Sequence, residues 1–255
     1  MATIKLDQAV AALVAEIGDE DPFVRRAIVE ELASIKTPET YAAIKELVEE
    51  GDESYYVEAA ACRSLGGMTT ASLKSKQEEA LSILTDVLNT RSGWNEVVRG
   101  GAIGGLSKMT DSPTALNTVL EYVKPGIPQG LRLTSIRALG AISKGQSEAN
   151  LTVILEKLAE LSRESFFLTQ VSVVNALSQM ETVKAIAVLQ GLATHSPDGR
   201  VKRMADEGVQ KVQKKIGSDK GMKQLREELE EVKKTNQDLK SRLENLEAKS
   251  AKDKP

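Results

Sequence analysis

The side chains that usually carry out catalysis or bind metals are scarce in this chain. It has one histidine, His195, and one cysteine, Cys62. A zinc site takes several His, Cys or carboxylate ligands, so a site built on histidines is excluded within one chain. Nothing beside Cys62 would lower the pKa of its thiol, and we expect a buried, inert cysteine. Because nucleophile-elbow and phosphate-loop motifs are also absent, we predict no catalytic residue, no metal site and no cofactor.

A column of charged side chains is the second feature that could do chemistry. Six similar segments of the chain have, at their second position, the residues Arg25, Glu58, Arg99, Arg132, Gln170 and Lys202. If the segments stack, these side chains form a row. One interpretation is a polar ladder to turn acids such as Asp19 and to caps of the preceding unit. The other is a stripe that binds an anion or a carboxylate.

Four glycines in one short segment, Gly100, Gly101, Gly104 and Gly105, are unusual for a helix. Each costs about 0.5–1 kcal/mol relative to alanine. One explanation is the close approach of a neighbouring helix. The other is a groove floor where a partner helix or peptide lies against bare backbone, with Trp94 as an anchor. The candidate partner-binding residues are therefore Arg25, Trp94, Arg99, Arg132 and Lys202.

An internal repeat predicts the elements that position these residues. In segment 24–35 apolar residues recur three or four positions apart, which is the pattern of one helix face. The segment returns five more times, and its aligned aliphatic residues are Leu32, Leu65, Leu106, Leu139, Leu177 and Val209. Their separations of 33, 41, 33, 38 and 32 residues are typical of helical repeats. We predict an all-α fold, an α-solenoid of six helical hairpins over 1–216, with each copy as the inner helix.

Caps, prolines and glycines predict where the helices begin and end. The predicted outer helices span 7–17, 38–50, 76–90, 112–124, 148–164 and 183–194. The predicted inner helices span 24–35, 55–68, 98–109, 131–142, 168–180 and 200–216. Asp19 and Asp52 are expected to form or cap equivalent turns.

Composition and charge restrict the possible partners. Aromatic residues make up 3% and hydrophobic residues 41% of the chain, so we expect a core of Ala, Leu, Ile and Val. The net charge of −3 gives no overall attraction to nucleic acid or to an acidic membrane. A basic zone at 202–223 lacks interleaved aromatic residues, which disfavours nucleic-acid binding. Without a leader or an apolar stretch of about 18 residues, the chain is expected to be soluble and cytoplasmic.

After Gly217 the pattern changes to a single charged helix, predicted over 217–249. Its steps of three and four residues are those of a coiled-coil heptad. The predicted seam consists of Met222, Leu225, Leu229, Val232, Asn236, Leu239, Leu243 and Leu246. A lone asparagine at an a position favours a parallel homodimer, because it pairs with its own copy in register. The alternatives are an exposed single helix and a helix packed on the sixth repeat, and 250–255 are predicted to be a disordered tail.

The six copies resemble HEAT repeats, most clearly at Pro22, Val24, Arg25 and Leu32. Four blocks, 54–61, 94–99, 128–133 and 198–203, are also similar to the C-terminal HEAT extension of cyanobacterial-type aminopeptidase N, a zinc metallopeptidase family. That family's His-Glu-x-x-His zinc motif and its Gly-rich motif are absent here. The resemblance therefore implies only the noncatalytic tail, and no catalytic or zinc-binding residue is carried over.

These observations favour a noncatalytic HEAT-repeat scaffold that binds a protein or peptide of unknown identity and self-associates through its C-terminal helix. The alternative is a HEAT-type auxiliary protein similar to a bilin lyase, which would hold a small anionic ligand along Arg25, Arg99 and Arg132. A third hypothesis is that the chain itself hydrolyses peptides.

Overall fold

The computed structural model describes residues 2–69 and 71–218 of the 255-residue chain. In these two ranges all regular structure is helical. The α-helices are α1 Ala2–Ala15, α2 Pro22–Ile35, α3 Pro38–Glu50, α4 Tyr55–Met68, α5 Gln77–Thr90, α6 Val97–Leu106, α7 Pro113–Glu121, α8 Gln129–Ile142, α9 Glu148–Leu161, α10 Phe167–Leu177, α11 Val183–His195 and α12 Gly199–Ser218. Short 3-10 segments span Ala71–Lys76, Trp94–Glu96 and Ser143–Gly145. The predicted coiled-coil seam and the tail lie outside the described residues.

Consecutive α-helices pair into helical hairpins, which confirms the predicted α-solenoid. The even-numbered helices form an inner layer and the odd-numbered helices an outer layer. Each inner helix contacts its inner neighbours extensively, whereas successive outer helices share few contacts. Because the inner layer is more closely packed, it forms the concave side of the array.

The starts of the helices follow from short polar side chains and prolines. Asp21 accepts a hydrogen bond from the backbone N–H of Phe23 at 2.8 Å, and Pro22 occupies the first turn of α2, where no intrahelical N–H is needed. The predicted turn roles of Asp19 and Asp52 are confirmed. Each carboxylate accepts a hydrogen bond from the backbone N–H two residues later, at 2.7 Å in both turns.

Several predicted helix ends are wrong. Helix α1 begins at Ala2 rather than at residue 7, and helices α6, α7, α9 and α10 each end three residues before the predicted position. After each of these four helices the next N–H groups donate to carbonyls three residues earlier, as Lys108 does to Gly105 at 3.0 Å. Such tighter bonds satisfy the last carbonyls and end the α-helix.

The core runs the length of the array as the aligned aliphatic column predicts. The fully buried members of that column are Leu32, Leu65, Leu106, Leu139 and Leu177. Burying one leucine stabilises the fold by about 1.5–3 kcal/mol. The sixth member, Val209, is only half-buried. Its helix, α12, is the last one in the described ranges, so no described hairpin covers that face.

Glycines allow the inner helices to approach one another closely. A Cβ atom added at Gly105 would lie 2.4 Å from the carbonyl oxygen of Cys62, and one at Gly101 would lie 2.5 Å from that of Ala59. Both distances are shorter than any real Cβ contact. The close approach of a neighbouring helix, α4, therefore explains these two glycines of α6.

Candidate functional site

The charged column of the inner helices forms an ion-pair ladder between successive repeats. Arg25 donates from Nε and Nη2 to both carboxylate oxygens of Asp52, at 2.8 and 2.7 Å, and from Nη1 to the carbonyl oxygen of Asp19 at 2.8 Å. The Arg25 and Asp52 side chains are only 12% and 6% exposed. The hydrogen bond to Asp52 raises the pKa of Arg25. This guanidinium is thus neutralised within the chain.

Other members of the column repeat this arrangement. Arg132 donates to both carboxylate oxygens of Glu164, at 2.9 and 2.5 Å, and to the carbonyl oxygen of Val123 at 2.8 Å. At Glu58 the two charges are exchanged: the inner helix supplies the buried carboxylate, and it accepts a hydrogen bond from Arg91 of the next repeat. The predicted polar ladder is present, with a correction. The acid comes from the turn of the following repeat, and the residue's own turn supplies a backbone carbonyl.

Two members of the column have local or weaker contacts. Arg99 pairs with Glu96 of its own turn, and the hydrogen bond to Glu96 raises the pKa of Arg99. Lys202 is half-buried and makes no ion pair within the described ranges. The geometry does not support an anionic ligand along the arginine column, because Arg25, Arg99 and Arg132 are each paired with a carboxylate. That these residues and Lys202 contact a partner remains a prediction.

The glycines of α6 that could form the floor of a groove are partly covered by a side chain. Gly100 and Gly104 are half-buried on the concave side of α6. The aliphatic part of the exposed Arg63 side chain lies across Gly104, with Cγ 2.8 Å from the position of an added Cβ. At Gly100 the nearest atom to an added Cβ would be the Thr134 methyl carbon, at 4.0 Å. Only Gly100 therefore offers open backbone to a partner.

An exposed row of aromatic side chains was not expected from the sequence, apart from Trp94. The chain has one tryptophan, four tyrosines and three phenylalanines, and five of these side chains are exposed. We name the five the aromatic edge: Phe23, Tyr55, Tyr56, Trp94 and Phe166. All of them lie at or just before the first turn of an inner helix, α2, α4, α6 or α10. Stacking of the repeats therefore places them along one edge of the array.

The centre of the aromatic edge is built by contacts between repeats. The rings of Tyr56 and Trp94 meet edge to face with centroids 6.4 Å apart. Trp94 is nevertheless 56% exposed, and Phe23, two repeats earlier, is 81% exposed. Asn95 and Glu96, which follow Trp94, both adopt left-handed backbone conformations, with φ of 49° and 58°. Strained non-glycine residues of this kind persist where the surrounding structure holds them, often at functional sites.

The surroundings of the aromatic edge carry uncompensated negative charge. Glu20, Glu50 and Glu53 are exposed and make no ion pair with another described residue. The arginines of the same turns, Arg25 and Arg91, are already paired with Asp52 and Glu58. A cavity of about 470 Å³ lies between the second and third turns, with Glu50, Glu53 and Tyr55 among its lining residues. The aromatic edge therefore presents apolar rings together with free carboxylates.

The structure places the single histidine and the single cysteine in unreactive surroundings. Cys62 is buried, as predicted, and burial raises the pKa of its thiol to about 12. His195 is exposed at the end of α11, with Nδ1 3.1 Å from the Gly191 carbonyl oxygen. It lines a cavity of about 650 Å³ between α9 and α11, and no carboxylate or thiol is among the lining residues that the structure describes.

No group of three or more His, Cys, Asp or Glu side chains in residues 2–69 and 71–218 is arranged to hold a metal ion. In the same part of the chain, every helix is too short or too polar to cross a membrane.

Comparisons with known proteins show what the chain is similar to. Residues 1–55 match the model of HEAT repeats. Among solved structures, the chain is similar to an engineered protein, at 18% identity over 81% of this chain and 97% of the other, with a TM-score of 0.48. It is also similar to computationally designed armadillo repeat proteins for modular peptide recognition, at 17% identity over 78% and 98%, with a TM-score of 0.42. No curated protein matches significantly. The narrower resemblance to an aminopeptidase extension is not supported by these matches.

Proposed function

We propose that the chain is a noncatalytic HEAT-repeat interaction module that binds a basic segment of a partner protein along the aromatic edge. The observation that carries this proposal is the exposure of Phe23, Tyr55, Tyr56, Trp94 and Phe166 on one edge. In a chain with so few aromatic residues, leaving these in water forgoes the free energy of burying them. A partner that covers them recovers it.

The charge around the aromatic edge selects the kind of partner. A Lys or Arg side chain over the face of Trp94 or Tyr56 would gain a cation–π interaction of about 0.5–1 kcal/mol at an exposed site. The unpaired carboxylates of Glu20, Glu50 and Glu53 would attract the same cations and exclude acidic segments. A basic polypeptide segment therefore fits this surface better than an acidic one.

The ion-pair ladder supports the same proposal as a positioning device. Arg25–Asp52 and Glu58–Arg91 connect the turns that carry Phe23, Tyr55 and Trp94. Fixed turns lower the ordering cost of binding, because the surface does not have to be assembled when the partner arrives. The idea that this module is the accessory tail of an aminopeptidase rests on four similar sequence blocks alone and stays a prediction.

The proposal can be tested with the single tryptophan of the chain as a reporter. The full chain is titrated with an octapeptide of alternating lysine and alanine while the emission of Trp94 is recorded. We expect a saturable change in emission that weakens as salt is added. Phe23→Ala and Tyr56→Ala are each expected to weaken binding about two- to five-fold, as loss of one cation–π contact implies.

The controls use the same reporter. An octapeptide of alternating glutamate and alanine should leave the emission unchanged. Val183→Ala removes an exposed apolar side chain from the outer helix α11 and should leave the affinity unchanged. A lysine peptide that does not bind, or that binds equally well to the Phe23 and Tyr56 variants, would show that the aromatic edge is not its site.

A further inference from the structure

A second surface lies at the opposite end of the inner helices. The C-terminal parts of α8, α10 and α12 enclose a groove of about 600 Å³, here named the basic groove. Its main lining residues are Arg137, Asn175, Gln179, Lys211, Lys214 and Lys215. Helix α10, with eleven residues, separates the groove from the aromatic edge by about 15 Å. The two surfaces are therefore distinct.

The basic groove collects positive charge in a chain whose net charge is negative. Four of its lining side chains are cationic, and no carboxylate lines it among the residues described. Lys215 donates to the carbonyl oxygens of Ser178 and Gln179, at 3.2 and 3.1 Å, and so caps the end of α10. Such capping gives Lys215 a structural role, whereas the charges of Arg137, Lys211 and Lys214 need another explanation.

Among the described residues, no acid forms an ion pair with any of these three cations. Arg137 donates only to the Thr134 hydroxyl, at 3.1 Å, and the exposed Lys211 and Lys214 make no ion pair within the described ranges. On the same helix, Glu207 pairs with Arg203 at 3.7 Å. Like charges held close together repel, and a bound anion would reduce the repulsion among these cations.

The polar groups between the cations indicate what kind of anion fits. Asn175 lies in the last turn of α10, and its carboxamide can both donate and accept hydrogen bonds. Gln179, two residues beyond the end of α10, donates from Nε2 to the Asn175 carbonyl oxygen at 3.2 Å. A peptide main chain offers both kinds of group, whereas a phosphate offers mainly acceptors. No aromatic side chain lines the groove to stack on nucleic-acid bases.

We propose that the basic groove binds an acidic segment of a partner protein, with Arg137, Lys211 and Lys214 contacting its carboxylates and Asn175 its main chain. The inference goes beyond the function proposed for the aromatic edge and does not depend on it. The two surfaces would take opposite charges, so one partner with a basic and an acidic segment, or two partners, would occupy the module.

The test uses the full chain and a fluorescein-labelled octapeptide of alternating glutamate and alanine, with anisotropy as the readout. We expect saturable binding that weakens with added salt. Lys211→Gln, Lys214→Gln and Arg137→Gln are each expected to weaken it about two- to five-fold, as loss of one exposed ion pair implies. Lys184→Gln, which removes the same charge from the outer helix α11, should leave the affinity unchanged.

Four outcomes would overturn the proposal. The first is absence of binding, and the second is an equal loss of affinity in Lys184→Gln. The third is tighter binding of a uridine oligonucleotide of equal charge that is lost in the same three variants, because the groove would then be a phosphate site. The fourth is a gain in affinity when Glu227, Glu228, Glu230 and Glu231 are changed to glutamine in the full chain, because that acidic run would then be the occupant.

Discussion

A guanidinium at the second position of an inner helix can bind a carbonyl of its own turn and a carboxylate of the next repeat at the same time. Arg25 and Arg132 both do so, with fork-to-fork geometry toward Asp52 and Glu164. Bidentate pairs of this kind fix orientation as well as distance. In a repeat array they set how one hairpin is placed on the next.

The Arg132–Glu164 pair predicts a pH-dependent contribution to stability. The hydrogen bond from Arg132 lowers the pKa of Glu164 in the folded state. A lowered carboxyl pKa stabilises the fold above the unfolded pKa of about 4.3, and this contribution is lost as pH falls through the folded pKa. Because Glu164 is 35% exposed, we expect Glu164→Gln to reduce the free energy of unfolding by only about 1 kcal/mol at pH 7.

Urea unfolding at several pH values checks this expectation. The difference between the wild type and Glu164→Gln should shrink from pH 7 to pH 3. Glu156→Gln is a control, because Glu156 is an exposed carboxylate on α9, the helix just before Glu164, without an ion pair in the described residues. A difference that is constant with pH would mean that the ion pair does not contribute to stability.

At the scale of elements, the ten residues of helix α6 both pack against α4 and line a surface of the array. One face, with Gly101 and Gly105, approaches the backbone of α4, while the other face, with Gly100 and Gly104, lines the concave surface. All four glycines lower the helix propensity of α6, yet only Gly101 and Gly105 are needed for packing. The two faces can therefore be separated by mutation.

We expect opposite effects from two alanine substitutions in α6. Gly105→Ala would place a Cβ 2.4 Å from the Cys62 carbonyl oxygen, and separating the helices to accommodate it should cost about 2–3 kcal/mol. Gly100→Ala meets nothing closer than 4.0 Å and should stabilise the chain by about 0.5–1 kcal/mol. The urea midpoints of both variants, followed by circular dichroism, measure this. Equal midpoints would contradict the close approach of α4 and α6.

At the scale of the whole molecule, the two ends of the inner helices differ in charge. Free carboxylates surround the N-terminal ends in the first repeats, and cations line the C-terminal ends in the last ones. Each arrangement also suits the helix dipole, which favours anions at N-termini and cations at C-termini. The same choice of residues thus stabilises the helices and prepares two surfaces of opposite charge.

The predicted coiled coil adds a further level of assembly, and it is still a prediction because it lies outside the described residues. We expect the full chain to sediment as a dimer at high concentration. Replacing Leu229 and Leu239 of the seam with aspartate should give a monomer, since two buried charges would face their copies. Sedimentation equilibrium measures both masses. Equal monomer masses for the wild type and the variant would contradict the seam.

Several features of the fold could be read from the sequence because they depend on nearby residues. The apolar spacing predicted the helices, and the caps predicted most helix starts. Four helix ends were misplaced by three residues, because 3-10 turns continue the apolar pattern after the α-helix has ended. Of the aromatic edge, only Trp94 was singled out in advance. The equivalent positions of Phe23 and Tyr56, 33 residues apart and outside the buried stripe, were the signal that could have revealed the rest.

The sequence by itself determined the repeat, the buried leucine column and the inert Cys62, since one helix face needs only residues three or four positions apart. Only the tertiary structure decided that Arg25 pairs with Asp52, that the aromatic side chains share one edge, and that the cations of α8 and α12 meet in one groove. These contacts join residues in different repeats, so they depend on how each hairpin is rotated against the next. Packing of the inner layer sets that rotation, and no local pattern encodes it.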